Sequence, residues 1–297
     1  MLIIKGVIMS NRHNWKIGIS IHFDEHFSEN IDAVRAAGFD AIDFDLCIYW
    51  TKRDKEIQLY KHLEAGLEKV KESGLYFNAV HVSFGPNLDI SKLDECERIE
   101  VVERVKEIFG SCDPYKPYTY VIHGSYGTIT PENRPAKIEQ LRRSLRELRT
   151  HTDTHIAIEN LPRHALGNTA DEIISIVDAI GEIDVCVDTN HFLQEKTEDA
   201  IRKIGIRIRT THISDHDYID EKHWMPGEGK IDWQAVISAL EDADYEGVWT
   251  YELGLNATKT INRPRPFTYD DFIKNARELF NNEKITVIGT PKSPEEI

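Results

Sequence analysis

The sequence predicts a single-domain (β/α)8, or TIM, barrel over residues 15–282. Three observations lead there. Short β-rich runs alternate with amphipathic helical patterns along the whole chain, in eight units. No second composition regime or linker interrupts the alternation. The first strand ends in SIHFDEH rather than in the Gly-rich phosphate turn expected of an open doubly wound sheet, so the closed barrel is favoured.

The elements follow in order. IGIS (Ile17 to Ser20) is the first strand, and SENIDAVRAAG the first helix, with Ser28 as its expected N-cap and Gly38 as its stop. Ala41 to Leu46 is the second strand, and a long helix from about Glu56 to Ser73 ends at Gly74. LYFNAVHV precedes the helix LDECERIEVVERVKEIFG. YTYVIHG precedes a helix from near Pro135 to Thr150. After HIAIEN, Asn168-Thr169 caps ADEIISIVDAIG, and IDVCVD leads to a short helix near Glu198 to Lys203. IRIRTTHIS and IDWQAVISALEDADY form the seventh unit, GVWTYEL and YDDFIKNARELF the eighth. Residues 1–14 are expected to be an N-terminal extension and 283–297 a polar C-terminal tail. The apolar start, MLIIKGVIM, is too short to span a bilayer and lacks a cleavage pattern.

Composition narrows the partners. Lys+Arg number 36 against 51 Asp+Glu, a net charge of −15, and the pI is about 5.3. That charge disfavours coating nucleic acid or an anionic membrane. Four cysteines without C-x-x-C spacing read as free thiols, consistent with an expected cytoplasmic location. Many carboxylates and 13 histidines suit an oxygen/nitrogen metal site.

The strand ends carry the chemical signal. The first strand ends near His22, and the second carries Asp43 and Asp45. The third to eighth end in His81, His123, Glu159, Asp188, His212 and Glu252. In a barrel these ends converge on the face that holds the active site. Side chains alternate along a strand, so the same inward row holds the small residues Ala79, Ala157, Cys186 and Thr250. The alternate row, Val80, Ile158, Val187 and Tyr251, suits the layer between strands and helices. One such His or carboxylate is ordinarily a hydrogen-bonded or solvated residue. Six in succession are different: without a cation, converging carboxylates would repel and their pKa values would rise. A divalent ion resolves this, and the donor set suits Mn²⁺, Zn²⁺, Co²⁺ or Mg²⁺.

With IEN around Glu159, VDTNH from Val187 to His191, THISD around His212, HWMPGEGKIDW from His223 to Trp233 and YEL around Glu252, the sequence resembles the xylose-isomerase-like barrel superfamily, especially its sugar phosphate isomerase/epimerase group. The resemblance implies one metal held by Glu159, Asp188, His212 and Glu252, with His191 on substrate oxygens. It also implies an isomerase or epimerase that removes a proton next to a carbonyl, through an enediolate that the divalent charge stabilises. Glu159 and Glu252 would be the acid/base pair, acting on opposite faces of a sugar or sugar phosphate. His81, His123, His223 and Trp224 are expected to contact substrate, Trp224 by stacking; additional zinc at His81 and His123 is the other use of those histidines. The alternatives are a dehydratase of the same superfamily and a zinc-dependent apurinic-site endonuclease similar to endonuclease IV. Those endonucleases carry Asp-x-His where this chain has Glu221-Lys222-His223. Among the basic residues, only Lys52-Arg53 and Arg163 are placed to meet a DNA backbone, which is thin for a duplex. A homo-oligomer is compatible with the resemblance.

Overall fold

The computed structural model describes residues 11–46, 53–293 and 295–296, with side chains of the second helix from residue 62 onward. Cys47, Trp50, Lys52, the Arg53 side chain and the N-terminal apolar run lie outside the described set. Eight parallel strands close into a barrel in chain order. They are β1 Lys16–His22, β2 Ala41–Asp45, β3 Tyr76–His81, β4 Thr119–His123, β5 His155–Glu159, β6 Asp184–Asp188, β7 Ile208–Ile213 and β8 Val248–Tyr251. The connecting helices are α1 Phe27–Ala37, α2 Arg53–Ser73, α3 Glu95–Cys112, α4 Arg134–Arg149, α5 Ala170–Asp178, α6 Thr197–Ile204, α7 Trp233–Asp242 and α8 Tyr269–Phe280.

The strand alternation sorts side chains as the sequence pattern requires. Ala79, Val121, Ala157 and Cys186 form a small buried cluster inside the barrel. Val80, Ile158, Val187, Trp249 and Tyr251 join the main apolar layer under the helices. Below the small cluster the interior is polar: Asn78 Nδ2 donates to Asp43 Oδ1 at 2.7 Å and to Thr210 Oγ1 at 2.9 Å. Two irregularities in register matter for the mouth. Ile42 pairs with Phe77 but Asp43 with Ala79, and Val185 pairs with Ile208 but Cys186 with Thr210. Asn78 and Arg209 are thus extra residues, and each resets the alternation so that His81 and His212 face the axis.

Helix starts follow local chemistry. Asp94, Thr169 and Asp232 each accept a backbone N–H from the first turn of α3, α5 and α7. The expected cap at Ser28 does not form. Asp24 accepts the His26 N–H, and Phe27 is drawn in against Phe23 and Phe44, so α1 begins one residue before Ser28. Gly38 ends α1 at φ 90°, where its N–H bonds the carbonyls of Val34 and Arg35. Gly205–Arg207 forms a 3-10 turn, so the seventh strand starts later than its apolar alternation suggests.

The chain after α8 is laid back on the barrel. β9 (Ile261–Asn262) pairs antiparallel with β10 (Thr290–Pro291). Thr286 Oγ1 donates to Glu278 at 2.7 Å. Among the described residues, no helix is long and apolar enough to cross a membrane.

Candidate metal centre and its cavity

Glu159, Asp188, His212 and Glu252 end β5 and β6, lie near the end of β7 and follow β8, and each offers a donor atom within 4.8 Å of the others. Closure of the barrel does this: residues far apart in sequence reach one point because strand ends meet there. His81 sits across from them, with Nε2 3.1 Å from Glu159 Oε2 and Nδ1 3.3 Å from Glu252 Oε1. His123 Nε2 is also 3.1 Å from Glu159 Oε2. His212 Nδ1 lies 3.3 Å from Glu252 Oε1 and 3.6 Å from Glu159 Oε1.

The donors fit a divalent ion better than they fit one another. Both Glu159 oxygens, Asp188 Oδ2 and both His212 nitrogens are buried without a well-formed hydrogen bond. Such groups are costly unless something else satisfies them. For donors about 2.1 Å from a shared ion, octahedral to tetrahedral geometry separates neighbours by about 3.0–3.4 Å. The His212 Nδ1 spacings to Glu252 and Glu159, 3.3 and 3.6 Å, fall at or slightly beyond that range. The remaining lone pairs are held in place. Asn190 N–H donates to Asp188 Oδ1 at 2.7 Å, leaving Oδ2 for the cluster. Asn160 bridges the ends of β5 and β6: Oδ1 accepts the Asp188 N–H at 2.7 Å, and Nδ2 donates to the Asp188 carbonyl at 2.9 Å.

Electrostatics divide the carboxylates. The sequence leads one to expect raised pKa values for all of them. Asp188 behaves so: burial raises it well above the usual range, and Glu252 and Glu159 add repulsion. Burial acts the same way on Glu159 and Glu252, but imidazoles outweigh it. His123 and His212 hold Glu159 well below the usual range, and His212 and His81 do the same for Glu252. Burial would lower His191 and His212, yet both are raised well above an ordinary imidazole, His191 by Asp188, Glu159 and Glu221, and His212 by Cys186, Glu252 and Glu159.

A second donor group adjoins the first. His191, Glu221 and His223 converge within the same 4.8 Å limit, as do His81, His123 and Glu159. His191 Nδ1 contacts the Asn160 carbonyl at 2.8 Å, and Nε2 lies 3.3 Å from Glu221 Oε2. Contact with His191 takes the Glu221 carboxyl down to about 2. His223 sits at φ 50°, with Nδ1 3.1 Å from the Glu252 carbonyl.

These groups line a cavity of about 1180 Å³ at the C-terminal end of the barrel. His81, His123, His191, His223, Glu159 and Glu252 all reach it. Trp224 does not, which corrects the expectation of a sugar-stacking indole. Its side chain is buried, its Nε1 donates to Thr260 Oγ1 at 3.0 Å, and its backbone bridges Asp215. The left-handed turn at His223 sends consecutive side chains different ways. Aromatic surface comes instead from Phe84, stacked on His123 at 3.9 Å between ring centroids, and from Tyr126. Neither carries a periodic or motif signal in the sequence. Asp45, which pairs with His22 Nδ1, is also at the cavity wall.

Asp215, which follows β7, organises the loop that carries His223. Its buried carboxylate accepts the N–H groups of His216, Gly227, Gly229 and Ile231 and the Trp233 indole N–H. Of the basic residues placed to meet a DNA backbone, Arg163 is occupied elsewhere, while Lys52 and the Arg53 side chain lie outside the described residues. Arg163 lies 2.7 Å from Asp220 and 2.9 Å from Glu221. Arg202, Lys203, Arg207 and Arg209 pair with Asp242, Asp171, Asp178 and Asp184.

Fold and cluster define the class: a closed (β/α)8 barrel with carboxylate and imidazole donors gathered at its C-terminal mouth. The chain belongs to the xylose isomerase-like TIM barrel family, whose sequence model matches residues 31–274. It is 27% identical over 247 residues to D-psicose 3-epimerase of Enterocloster bolteae, covering 76% of each chain. Its fold is similar to that of D-psicose 3-epimerase from Clostridium cellulolyticum H10, with TM-score 0.66 and 19% identity over 90% of this chain and 91% of that one. It is also similar to 3-keto-D-glucoside 4-epimerase from E. coli, with TM-score 0.67 and 20% identity over 89% and 99% of the two chains.

Proposed function

We propose that this chain is a divalent-metal-dependent sugar epimerase that moves a proton at a carbon next to a carbonyl. The observation that carries the reading is the buried Glu159–Asp188–His212–Glu252 cluster opening into the barrel-mouth cavity. Similarity to sugar 3-epimerases supports the reaction class. A bound cation would supply Lewis-acid stabilisation of charge on the substrate oxygens.

The residues supply the rest. Glu159 and Glu252 both reach the cavity and both are ionised, the form a base requires. They approach from strands three places apart around the ring, so one ionised carboxylate removes the proton and the other, after taking a proton from solvent in the cavity, delivers it to the opposite face, inverting that carbon. His191, held between the Asn160 carbonyl and Glu221, is placed to hydrogen-bond a substrate oxygen. Asp188 and His212 are fully buried and serve the ion alone.

The test is exchange of the substrate C–H with D₂O. Glu159→Gln and Glu252→Gln should each lower exchange by about 10²–10⁴-fold, with metal content measured alongside. Retained exchange in both variants would sink the assignment.

The adjoining His81–His123–Glu159 and His191–Glu221–His223 groups favour a second reading, a phosphodiesterase with several zinc ions. The pairing of Arg163 and the net charge of −15 weigh against a DNA substrate. About three zincs per chain together with nicking of abasic plasmid would establish it over epimerisation. About one ion without nicking would favour the epimerase.

A further inference from the structure

The cavity is larger than a free sugar requires. A ketohexose has twelve non-hydrogen atoms. Even at the roughly 30 Å³ that a water molecule takes in the liquid, they occupy at most about 360 Å³. The cavity holds about 1180 Å³ and continues from the cluster toward the loops after β3, β4 and β5. Six side chains on that side are apolar or aromatic: Phe84, Tyr126, Ile129, Leu161, Pro162 and Ala165. Tyr126 is 44% exposed, so a large ring faces open space beside the site. Exposed aromatic surface that continues into a catalytic pocket marks contact with a ligand more than ordinary surface does.

Charge decides what the extra room excludes. Among the described residues lining the cavity, Arg163 is the one lysine or arginine, and its guanidinium is engaged by Asp220 and Glu221. Asp24 and Glu29 add negative charge to the opposite rim. Among the described residues, a phosphate group would meet the carboxylates of Asp24 and Glu29 and find Arg163 already paired.

We infer that the substrate is a ketose carrying a bulky uncharged apolar substituent, whose sugar end lies at the cluster and whose substituent packs on the Phe84–Tyr126–Ile129–Leu161 wall. The inference rests on the epimerase reading for the sugar end only. The wall is a binding surface whatever the chemistry at the cluster.

Binding and turnover separate the two. The full chain, loaded with Mn²⁺, is titrated calorimetrically with D-fructose, D-fructose 6-phosphate and 6-O-benzyl-D-fructose, and each sugar is scored for C–H exchange in D₂O. The benzyl sugar should bind at least tenfold more tightly than either of the others. Tyr126→Ser should reduce that preference at least fivefold, and Tyr126→Phe should restore it. Equal binding of free and benzylated sugar, preference for the phosphate, failure of all three to bind, or an unchanged preference in Tyr126→Ser would overturn the inference. Tight, Tyr126-dependent binding of the benzyl sugar without exchange would support the wall and sink the epimerase reading.

Discussion

Filling the cluster with a divalent ion should expel protons. Ligation needs an ionised carboxylate and a neutral imidazole. Glu159 and Glu252 are already ionised, because imidazole charge outweighs their burial, so they contribute none. Asp188, with its pKa raised well above the usual value by burial and by two neighbouring carboxylates, gives up one proton. His212, raised well above the usual imidazole value despite burial, gives up another. Uptake of one ion should therefore release protons from whichever of the two groups still carries one, and affinity should climb as pH rises until both have lost theirs. The same shifts fix the sign for stability. In the ion-free protein the folded state binds more protons than the unfolded chain at both residues. Stability is therefore lost as pH rises, first above the unfolded Asp value and then through the folded pKa of His212. The ion reverses this loss: at a hundred times its Kd it adds about 2.7 kcal/mol, or about 5–10 °C in Tm at roughly 2–4 °C per kcal/mol. Calorimetric titration with Mn²⁺ in two buffers of different ionisation enthalpy counts the protons directly. Ion uptake with no proton release, at an affinity that does not rise with pH, would refute the charge assignment.

Three further outcomes concern the frame that holds the cluster. Arg263→Met leaves Glu228 buried against the Met225 and Gly289 N–H groups without its cation, and should cost about 3–5 kcal/mol in urea unfolding; the two side chains are each 1% exposed, and a change under about 1 kcal/mol would show the pair to be solvated. Asp215→Asn turns an amide NH₂ toward backbone and indole donors and should cost about 2 kcal/mol or more by the same measurement; an unchanged midpoint would show that the His223 loop is held by other contacts. Gly18→Ala places a methyl 2.6 Å from Val248 Cγ1 and 3.3 Å from Thr250 Oγ1 inside the barrel, so Tm should fall by an amount equivalent to about 1–3 kcal/mol; a wild-type Tm would mean that the interior has room.

The barrel and the cluster were legible because both rest on short-range rules. A period of two, ending in a polar residue, tells which side chains of a strand face the axis, and eight repeats tell that the ends converge. Glu159, Asp188, His212 and Glu252 need nothing more, and they meet. The rule holds even where the strands are irregular, because the extra residues Asn78 and Arg209 lie below the ends that matter. What alternation does not carry is the charge state. All three carboxylates look alike in the sequence, but His123 reaches Glu159 from the neighbouring strand and His81 reaches Glu252 across the barrel, so two pKa values fall where one rises.

The loops obey a different logic, and there residue type alone misleads. Trp224 neighbours His223 in sequence, yet one left-handed residue turns its indole down onto Thr260. Asp215 looks like any loop acid until Gly227, Gly229 and Ile231 fold back onto it. Glu228 and Arg263 sit on separate loops, after β7 and after β8, and the segment past α8 completes their site when Gly289 N–H donates to Glu228 at 2.6 Å. That segment also bonds Thr260 through the Lys292 N–H, and Thr260 in turn receives Trp224 beside His223. The stretch that reads as a polar tail thus packs on the loops beside the mouth. Barrel strands fix the donor cluster from below, and contacts distant in sequence fix the cavity walls from above, so the cluster is readable from one sequence while the shape of the cavity is readable only from the fold.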